Sequence, residues 1–245
     1  MLNIIGLGYN IDPTMKGLEL IDKSDEVYLE TYTTPILNDI KTFVEKQIKK
    51  EIILIDRSKL ESNYLIERAK QKQISLLVIG DPFFATTHIS LIVECKRANI
   101  NVNIVNNASI FNAIGKTGLS LYKFGRTVTL SYWRENYKPT SPFDFIIKNK
   151  SIGLHTLVLL DVAEDKGPMS AYEGLNMLKE MEKIKKVKIL DKLFVLSRIG
   201  FEDERINYGD IDILLKKDLG SPLFSFIIPG ELNNIEREFI SYLNV

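Results

Sequence analysis

Short apolar runs alternate along this chain with longer stretches in which apolar residues recur three and four positions apart. In the first half, "LNIIGLG", "EVYLET", "EIILI", "ISLLVIG" and "NVNIVN" have the length and β-branched content of strands. Between them, "TMKGLELIDKS", "LNDIKTFVEKQIKK", "SNYLIERAKQK" and "THISLIVECKRAN" carry the spacing of amphipathic helices. "SIFNAIGKTGLSLY" predicts a helix broken at Gly115 and Gly118. In the second half, "TVTLSYW", "LHTLVLLDV", "KLFVLSRIG" and "LFSFIIPG" predict strands. The intervening "SPFDFIIKNKSIG", "SAYEGLNMLKEMEKIKK", "YGDIDILLKKDLG" and "NNIEREFISYL" predict helices. Ser141 is a candidate cap for the first of these, with Pro142 in its first turn and Gly153 near its stop, and Ser170 caps the second.

Such alternation specifies the α/β class, with ligands expected outside the carboxyl ends of strands. It stumbles between residues 106 and 127, which points to two sheets rather than one. The expected organisation is two α/β domains, residues 1–108 and 109–245, with a ligand cleft between them.

A length of 245 residues suits one large α/β domain or two small ones, and 45% apolar residues suffice to build a core. Lys plus Arg and Asp plus Glu balance at 32 each, which argues against a chain held to nucleic acid by charge. Cys95 is the single cysteine, so no internal disulfide forms and a reducing compartment is expected, with the thiol on the apolar side of its helix. No apolar run approaches the ~20 residues that span a bilayer. "MLNIIGLGYN" also lacks the basic start of a secretory signal, so the expectation is a cytoplasmic protein without a membrane partner. The lysines at 183, 185, 186 and 188 read as a solvated helix end.

The candidate chemistry is sparse. Two histidines, His88 and His155, and one cysteine cannot assemble a zinc site, and no nucleophile–base pattern stands out. Both histidines read as structural, and no metal and no particular catalytic residue is expected. If the chain is an enzyme, its cofactor brings the reactivity. Gly6 and Gly8 in "IIGLGYNIDP" follow a strand, but Asn10-Ile11-Asp12-Pro13 stands where a dinucleotide fingerprint needs a third glycine. A tight turn and a ligand loop both fit. "GDPFFATTH" ends a strand with Asp81 in extended geometry before Pro82. Phe83 and Phe84 could flank a flat ring or pack in the core, and Thr86 or Thr87 suits a helix cap.

Six words, "GLGYNIDPTMKGLE", "VYLETYT", "GDPFFATTH", "NASIFNAIGKTGLSLYKFG", "GLHTLVLLDV" and "IIPGEL", stand in an order that resembles the diphthine synthases. That family belongs to the tetrapyrrole-methylase-like methyltransferases, and the resemblance covers nearly the whole chain. It implies two α/β domains holding S-adenosylmethionine in a cleft, a homodimer, and release of S-adenosylhomocysteine. It also implies a protein substrate, translation elongation factor 2, methylated on the amino group of a modified histidine during diphthamide biosynthesis. By the same resemblance the cofactor contacts are Tyr9, Asp81, Phe84, Ser109, Ile110, Leu160, Tyr208 and Asn233. Asn106 and Asn233 depart from the family pattern, which has histidines there, and the segment between Asp161 and Ser197 is short for the family.

Transfer from a sulfonium to a neutral amine needs alignment and desolvation more than acid–base groups, which suits this sequence. Repeated methylation ends in a quaternary ammonium, for which Tyr122, Tyr132 and Trp133 are candidate aromatic partners. The competing readings are a tetrapyrrole or RNA methyltransferase of the same fold, or a non-catalytic nucleotide-binding module.

Overall fold

A computed structural model describes residues 1–31, 38–84, 86–163 and 165–243, with the side chains of residues 38–40 left aside. Tyr32 and Thr33 of "VYLETYT", Leu37 at the head of the second predicted helix, and Ala85 of "GDPFFATTH" therefore lie outside the described residues. The chain divides into two compact units, Met1–Ala113 and Ile114–Val245.

The first unit runs β1 (Leu2–Gly6), α1 (Met15–Asp22), β2 (Glu26–Glu30), α2 (Asn38–Ile48), β3 (Ile53–Ile55), α3 (Arg57–Leu60), α4 (Tyr64–Gln71), β4 (Ile74–Val78), α5 (His88–Arg97), β5 (Val102–Val105) and α6 (Ile110–Ala113). Its five strands form one sheet in the order β3-β2-β4-β1-β5, and every pairing is parallel. Helices on the faces of a parallel sheet bury both sides of the inner strands, which is why β1 and β4 read as continuous apolar runs. On one face Leu2, Ile4, Ile74, Leu76 and Val78 pack with Leu65, Ile66 and Ala69 of α4 and with Leu91 and Cys95 of α5. Cys95 is thus a buried thiol whose pKa burial pushes up.

On the other face Ile5 meets α1 so closely that a Cβ on Gly17 would lie 3.0 Å from its Cγ2. Asn3 is the polar exception in β1, and its environment satisfies it. Its amide donates to Ser75 Oγ at 3.2 Å, while Ser24 and Ser75 share a 2.7 Å bond and Ser24 donates to the Leu20 carbonyl at 2.8 Å. Register sets up the site. Gly6 lies opposite Val78 and Ile5 opposite Val105, so β4, β1 and β5 end in step and release their loops at one edge.

The second unit runs β6 (Val128–Leu130), α7 (Ser141–Ser151), β7 (Thr156–Leu160), β8 (Val162–Ala163), β9 (Gly167–Pro168), α8 (Ala171–Lys185), β10 (Lys192–Ser197), β11 (Arg205–Asp210), α9 (Ile211–Leu214), β12 (Phe224–Ile228) and α10 (Asn234–Tyr242). Five strands make a mixed sheet in the order β11-β10-β12-β7-β6, parallel only between β6 and β7. Val158, Val195 and Phe226 point into a core with Phe143 and Ile146 of α7 and Leu175, Leu178 and Met181 of α8. Ser170 caps α8 as the sequence predicts, within a reciprocal capping box completed by Glu173.

Three expectations shift. Tyr208, Gly209 and Asp210 begin the predicted helix "YGDIDILLKKDLG" but belong to β11, because pairing along all of β10 outweighs local helical spacing. Only Ile211–Leu214 is helical there. "TVTLSYW" shortens to Val128–Leu130, and "SIFNAIGKTGLSLY" becomes α6 followed by 3-10 turns at Ile114–Thr117 and Leu121–Lys123. Among the described residues, no helix is long and apolar enough to cross a membrane.

Candidate functional site

Three adjacent loops leave the carboxyl ends of β4, β1 and β5, and they are tied to one another by name. Gly8 and Gly80 exchange both backbone hydrogen bonds, at 3.1 and 3.0 Å, each with a positive φ that a side chain would strain. A Cβ on Gly6 would lie 2.7 Å from the Gly80 carbonyl and 3.0 Å from both Asn107 Cβ and Pro82 Cδ. These glycines are therefore demanded by loop-on-loop packing, whatever else the loops hold.

Asp81, only 3% exposed, is the knot. Its Oδ1 accepts the Phe83 N–H at 2.8 Å, and its Oδ2 accepts the Asn107 N–H and the Asn106 amide, each at 3.0 Å. One carboxylate thus folds its own loop back and clamps it to the loop after β5. Asn106 supplies its N–H donor to that carboxylate from the side-chain amide. Asn107 completes the set by donating to the carbonyls of Gly6 at 3.1 Å and Asp12 at 3.0 Å.

Ser109 is buried beside this knot and starts α6. Its hydroxyl accepts the Phe111 N–H at 3.2 Å, and its own N–H is taken by Asn112 Oδ1 at 3.1 Å. Ile110 opens the helix, half-buried. Phe84 does not pair with Phe83. It stacks on Phe111, centroids 4.6 Å apart and planes 26° from parallel, yet stays 45% exposed. Tyr9 follows Gly8 on the β1 loop, half-buried. The first unit thus gathers Tyr9, Asp81, Phe84, Ser109 and Ile110 on the loops and short helix at one edge of the sheet.

Behind these loops lies a buried ion pair. His88 and Glu30 are each 1% exposed, with Nε2 and Oε2 2.5 Å apart, and His88 Nδ1 lies 2.8 Å from the Pro82 carbonyl. The Pro82 carbonyl can only accept, so Nδ1 carries a hydrogen, and the carboxylate facing Nε2 favours the imidazolium. Burial opposes that charge, but the Glu30 carboxylate and the Pro82 carbonyl outweigh it and raise the His88 pKa. His88 is thus a buried histidine with both ring nitrogens partnered.

The second unit distributes its three predicted residues. Tyr208 lies on β11 with its ring 4.5 Å from that of Phe194, in the row Tyr208–Phe194–Ile227–Leu157 across the sheet. Burial, reinforced by nearby Asp210, raises its phenol pKa. Leu160 ends β7, three residues beyond that row (about 10 Å along a strand), and packs against the α7–α8 core. Asn233 follows the opposite end of the sheet, beyond Ile228, and caps α10. Its Oδ1 accepts the Glu236 N–H at 2.9 Å, and its N–H goes to Glu236 Oε2 at 2.8 Å. The strand ends do not bring Leu160 and Asn233 together.

That cap belongs to a buried polar junction that sequence reading missed. Glu236 also accepts from Ser120 N–H at 2.9 Å and Lys123 Nζ at 2.8 Å, and lies 3.3 Å from His155 Nε2. Burial alone would raise this carboxyl, but Lys123 and the Asn233 and Ser120 N–H groups hold it far below the ordinary carboxylate range. His155 Nδ1 accepts the Gly230 N–H at 2.9 Å, so the ring is neutral and donates to Glu236 through Nε2. Burial accordingly lowers its pKa despite the carboxylate. The only sequence sign was the N-cap spacing of Asn233 and Glu236.

The aromatic candidates for a cation also separate. Tyr132 is buried, and Lys166 sits 4.8 Å from its ring centroid. Trp133 donates to the Pro139 carbonyl at 3.3 Å and has Lys138 5.9 Å from its centroid, while Tyr122 is fully exposed. Among the described residues no group of acidic, histidine or cysteine side chains could hold a metal.

The family model for tetrapyrrole (corrin/porphyrin) methylases matches residues 1–214. A diphthine synthase of Methanococcus vannielii is 43% identical over 99% of this chain and 98% of its own. A diphthine methyl ester synthase of Dictyostelium discoideum is 37% identical over 98% of this chain and 96% of its own. A solved diphthine synthase structure is similar with a TM-score of 0.87 at 33% identity, covering 98% of this chain and 94% of that one. The α/β architecture and the resemblance carried by the six sequence words are thereby borne out. The chain belongs to the tetrapyrrole methylases and, among them, to the diphthine synthases, the S-adenosylmethionine-dependent methyltransferases of diphthamide biosynthesis.

Proposed function

We propose that this chain moves methyl groups from S-adenosylmethionine to the amino group of the modified histidine of translation elongation factor 2, releasing S-adenosylhomocysteine. The observation that carries the reading is the braced edge of the first sheet. Three strand-end loops are fixed there by Asp81, Asn107 and the Gly8–Gly80 bridge, beside the exposed Phe84–Phe111 stack. The donor set fits the cofactor's chemistry. Aromatic faces suit a purine and a sulfonium, and preset loops lower the ordering cost of binding. Tyr9, Asp81, Phe84, Ser109 and Ile110 are the proposed contacts from the first unit. Leu160, Tyr208 and Asn233 are those from the second, with Leu160 acting through backbone because its side chain is engaged in packing.

When bound, the cofactor supplies an electrophilic methyl on a good leaving group. The contacts named above would hold the cofactor while the amine, as its free base, takes the methyl, with solvent or a pocket carboxylate to receive the proton it gives up. The protein's share is alignment and exclusion of water. Cys95, a buried thiol, fits work in the cytoplasm, and the family resemblance supports a homodimer with a two-fold interface. Calorimetric titration tests the cofactor reading: S-adenosylmethionine and S-adenosylhomocysteine bind, and NAD does not. Binding of NAD alone would move the chain to the nucleotide-module reading.

The two kinds of named relative leave a chemical choice between nitrogen and carboxylate. Mild base decides it. Label on nitrogen survives, whereas label in a methyl ester is released.

A further inference from the structure

Glu30 and His88 stand outside the proposed cofactor contacts, yet they reach the loop that carries Asp81 and Phe84. Glu30 ends β2 and His88 begins α5. The His88 ring bridges the Glu30 carboxylate at 2.5 Å and the Pro82 carbonyl at 2.8 Å. The same carbonyl accepts the Thr86 hydroxyl at 2.6 Å. Pro82 has no N–H of its own, and within the turn the Phe84 N–H reaches the Asp81 carbonyl only at 3.4 Å. The turn is therefore shaped by side chains: Asp81 from within, His88 and Thr86 from behind.

A buried ion pair is a poor choice where stability alone is needed, because an apolar pair of similar volume serves as well or better. What an apolar pair cannot do is hold the Pro82 carbonyl at a fixed point. We infer that Glu30 and His88 are a positioning pair: they fix the Pro82 carbonyl and thereby hold the Asp81–Phe84 turn in the form that receives S-adenosylmethionine. The inference rests on reading that turn as part of the cofactor site. Preset supports of this kind lower the ordering cost of binding and act on affinity.

The test compares wild type, Glu30→Gln and His88→Ala for S-adenosylmethionine affinity by calorimetry, with KM and kcat measured on elongation factor substrate. Glu30→Gln keeps volume and an acceptor for the ring N–H while removing the charge, so it decides the matter even if His88→Ala does not fold. The expected result is an S-adenosylmethionine Kd and KM raised about three- to tenfold in Glu30→Gln and more in His88→Ala, with kcat at saturation near wild type. A merely structural pair would lower the melting temperature and leave the Kd of the folded protein unchanged. That outcome, with wild type binding normally, overturns the positioning role and leaves the cofactor reading intact. Failure of wild type itself to bind S-adenosylmethionine overturns both.

Discussion

Replacing Asp81 by Ala removes the acceptor of three N–H groups at once, from Phe83, Asn107 and Asn106. Each charge-assisted bond is worth roughly 1.5–3 kcal/mol, but the terms do not add where a loop can open and admit water. The two backbone donors lose partners beside a carboxylate that is 3% exposed, whereas Asn106 is exposed and rehydrates. A net loss of about 3 kcal/mol follows, within the 5–15 kcal/mol of a typical domain, so the variant folds. The released loops must then be reordered by the ligand, raising the S-adenosylmethionine Kd about tenfold or more, equivalent to at least ~1.4 kcal/mol. Urea denaturation gives the first quantity, and calorimetry well below the midpoint gives the second. Asn106→Ala, which removes one donor and spares the carboxylate, should cost no more than about 1 kcal/mol. A wild-type midpoint for Asp81→Ala would refute the clamp. A lowered midpoint with unchanged affinity would separate the clamp from the cofactor.

Gly6→Ala puts a methyl 2.7 Å from the Gly80 carbonyl. It should cost about 1–3 kcal/mol in urea denaturation and weaken S-adenosylmethionine binding; wild-type values for both would refute the packing argument. Phe84→Ala removes a ring that is 45% exposed, so it should leave the melting temperature nearly unchanged. Its cofactor affinity should still fall by the ~0.5–1.5 kcal/mol of an aromatic stack, and equal affinity would remove Phe84 from the site. His155 and Glu236 both have lowered pKa values in the folded protein, so the unfolded chain binds more protons on acidification. Their contribution is complete above 6.5 and 4.5 respectively and is lost as pH falls below those values. Glu236→Gln should flatten the lower part of that acid branch in pH-dependent denaturation, and an unchanged slope would count against the junction. His88 has the opposite sign. Its pKa is raised, so its contribution is complete below 6.5 and is lost as pH rises through the folded value.

How much of this was legible beforehand follows from what is local. Parallel strands buried on both faces announce themselves as apolar runs, so β1, β2 and β4 were readable from composition. β11 was not, because its residues pair with β10 and the local spacing of "YGDIDILL" is helical. Asp81 was visible as a carboxylate at a strand end, but its partners Asn106 and Asn107 are 25 and 26 residues away in sequence. Glu30 and His88 are separated by 58 positions, Ser120 and Glu236 by 116, and no spacing rule connects such pairs. The glycines could be flagged as turn-formers. That Gly6 is forced by the Gly80 carbonyl needed the register of β1 on β4.

Transfer itself is the most direct test. Enzyme and methyl-labelled S-adenosylmethionine are incubated with elongation factor 2 bearing the aminocarboxypropyl-histidine precursor, and in parallel with a factor whose target histidine is replaced. The account predicts label in the first factor and none in the second, with the signal reduced in Asp81→Ala at limiting cofactor and recovered at high cofactor. Equal labelling of both factors, or efficient methylation of RNA or a tetrapyrrole in their place, would contradict it.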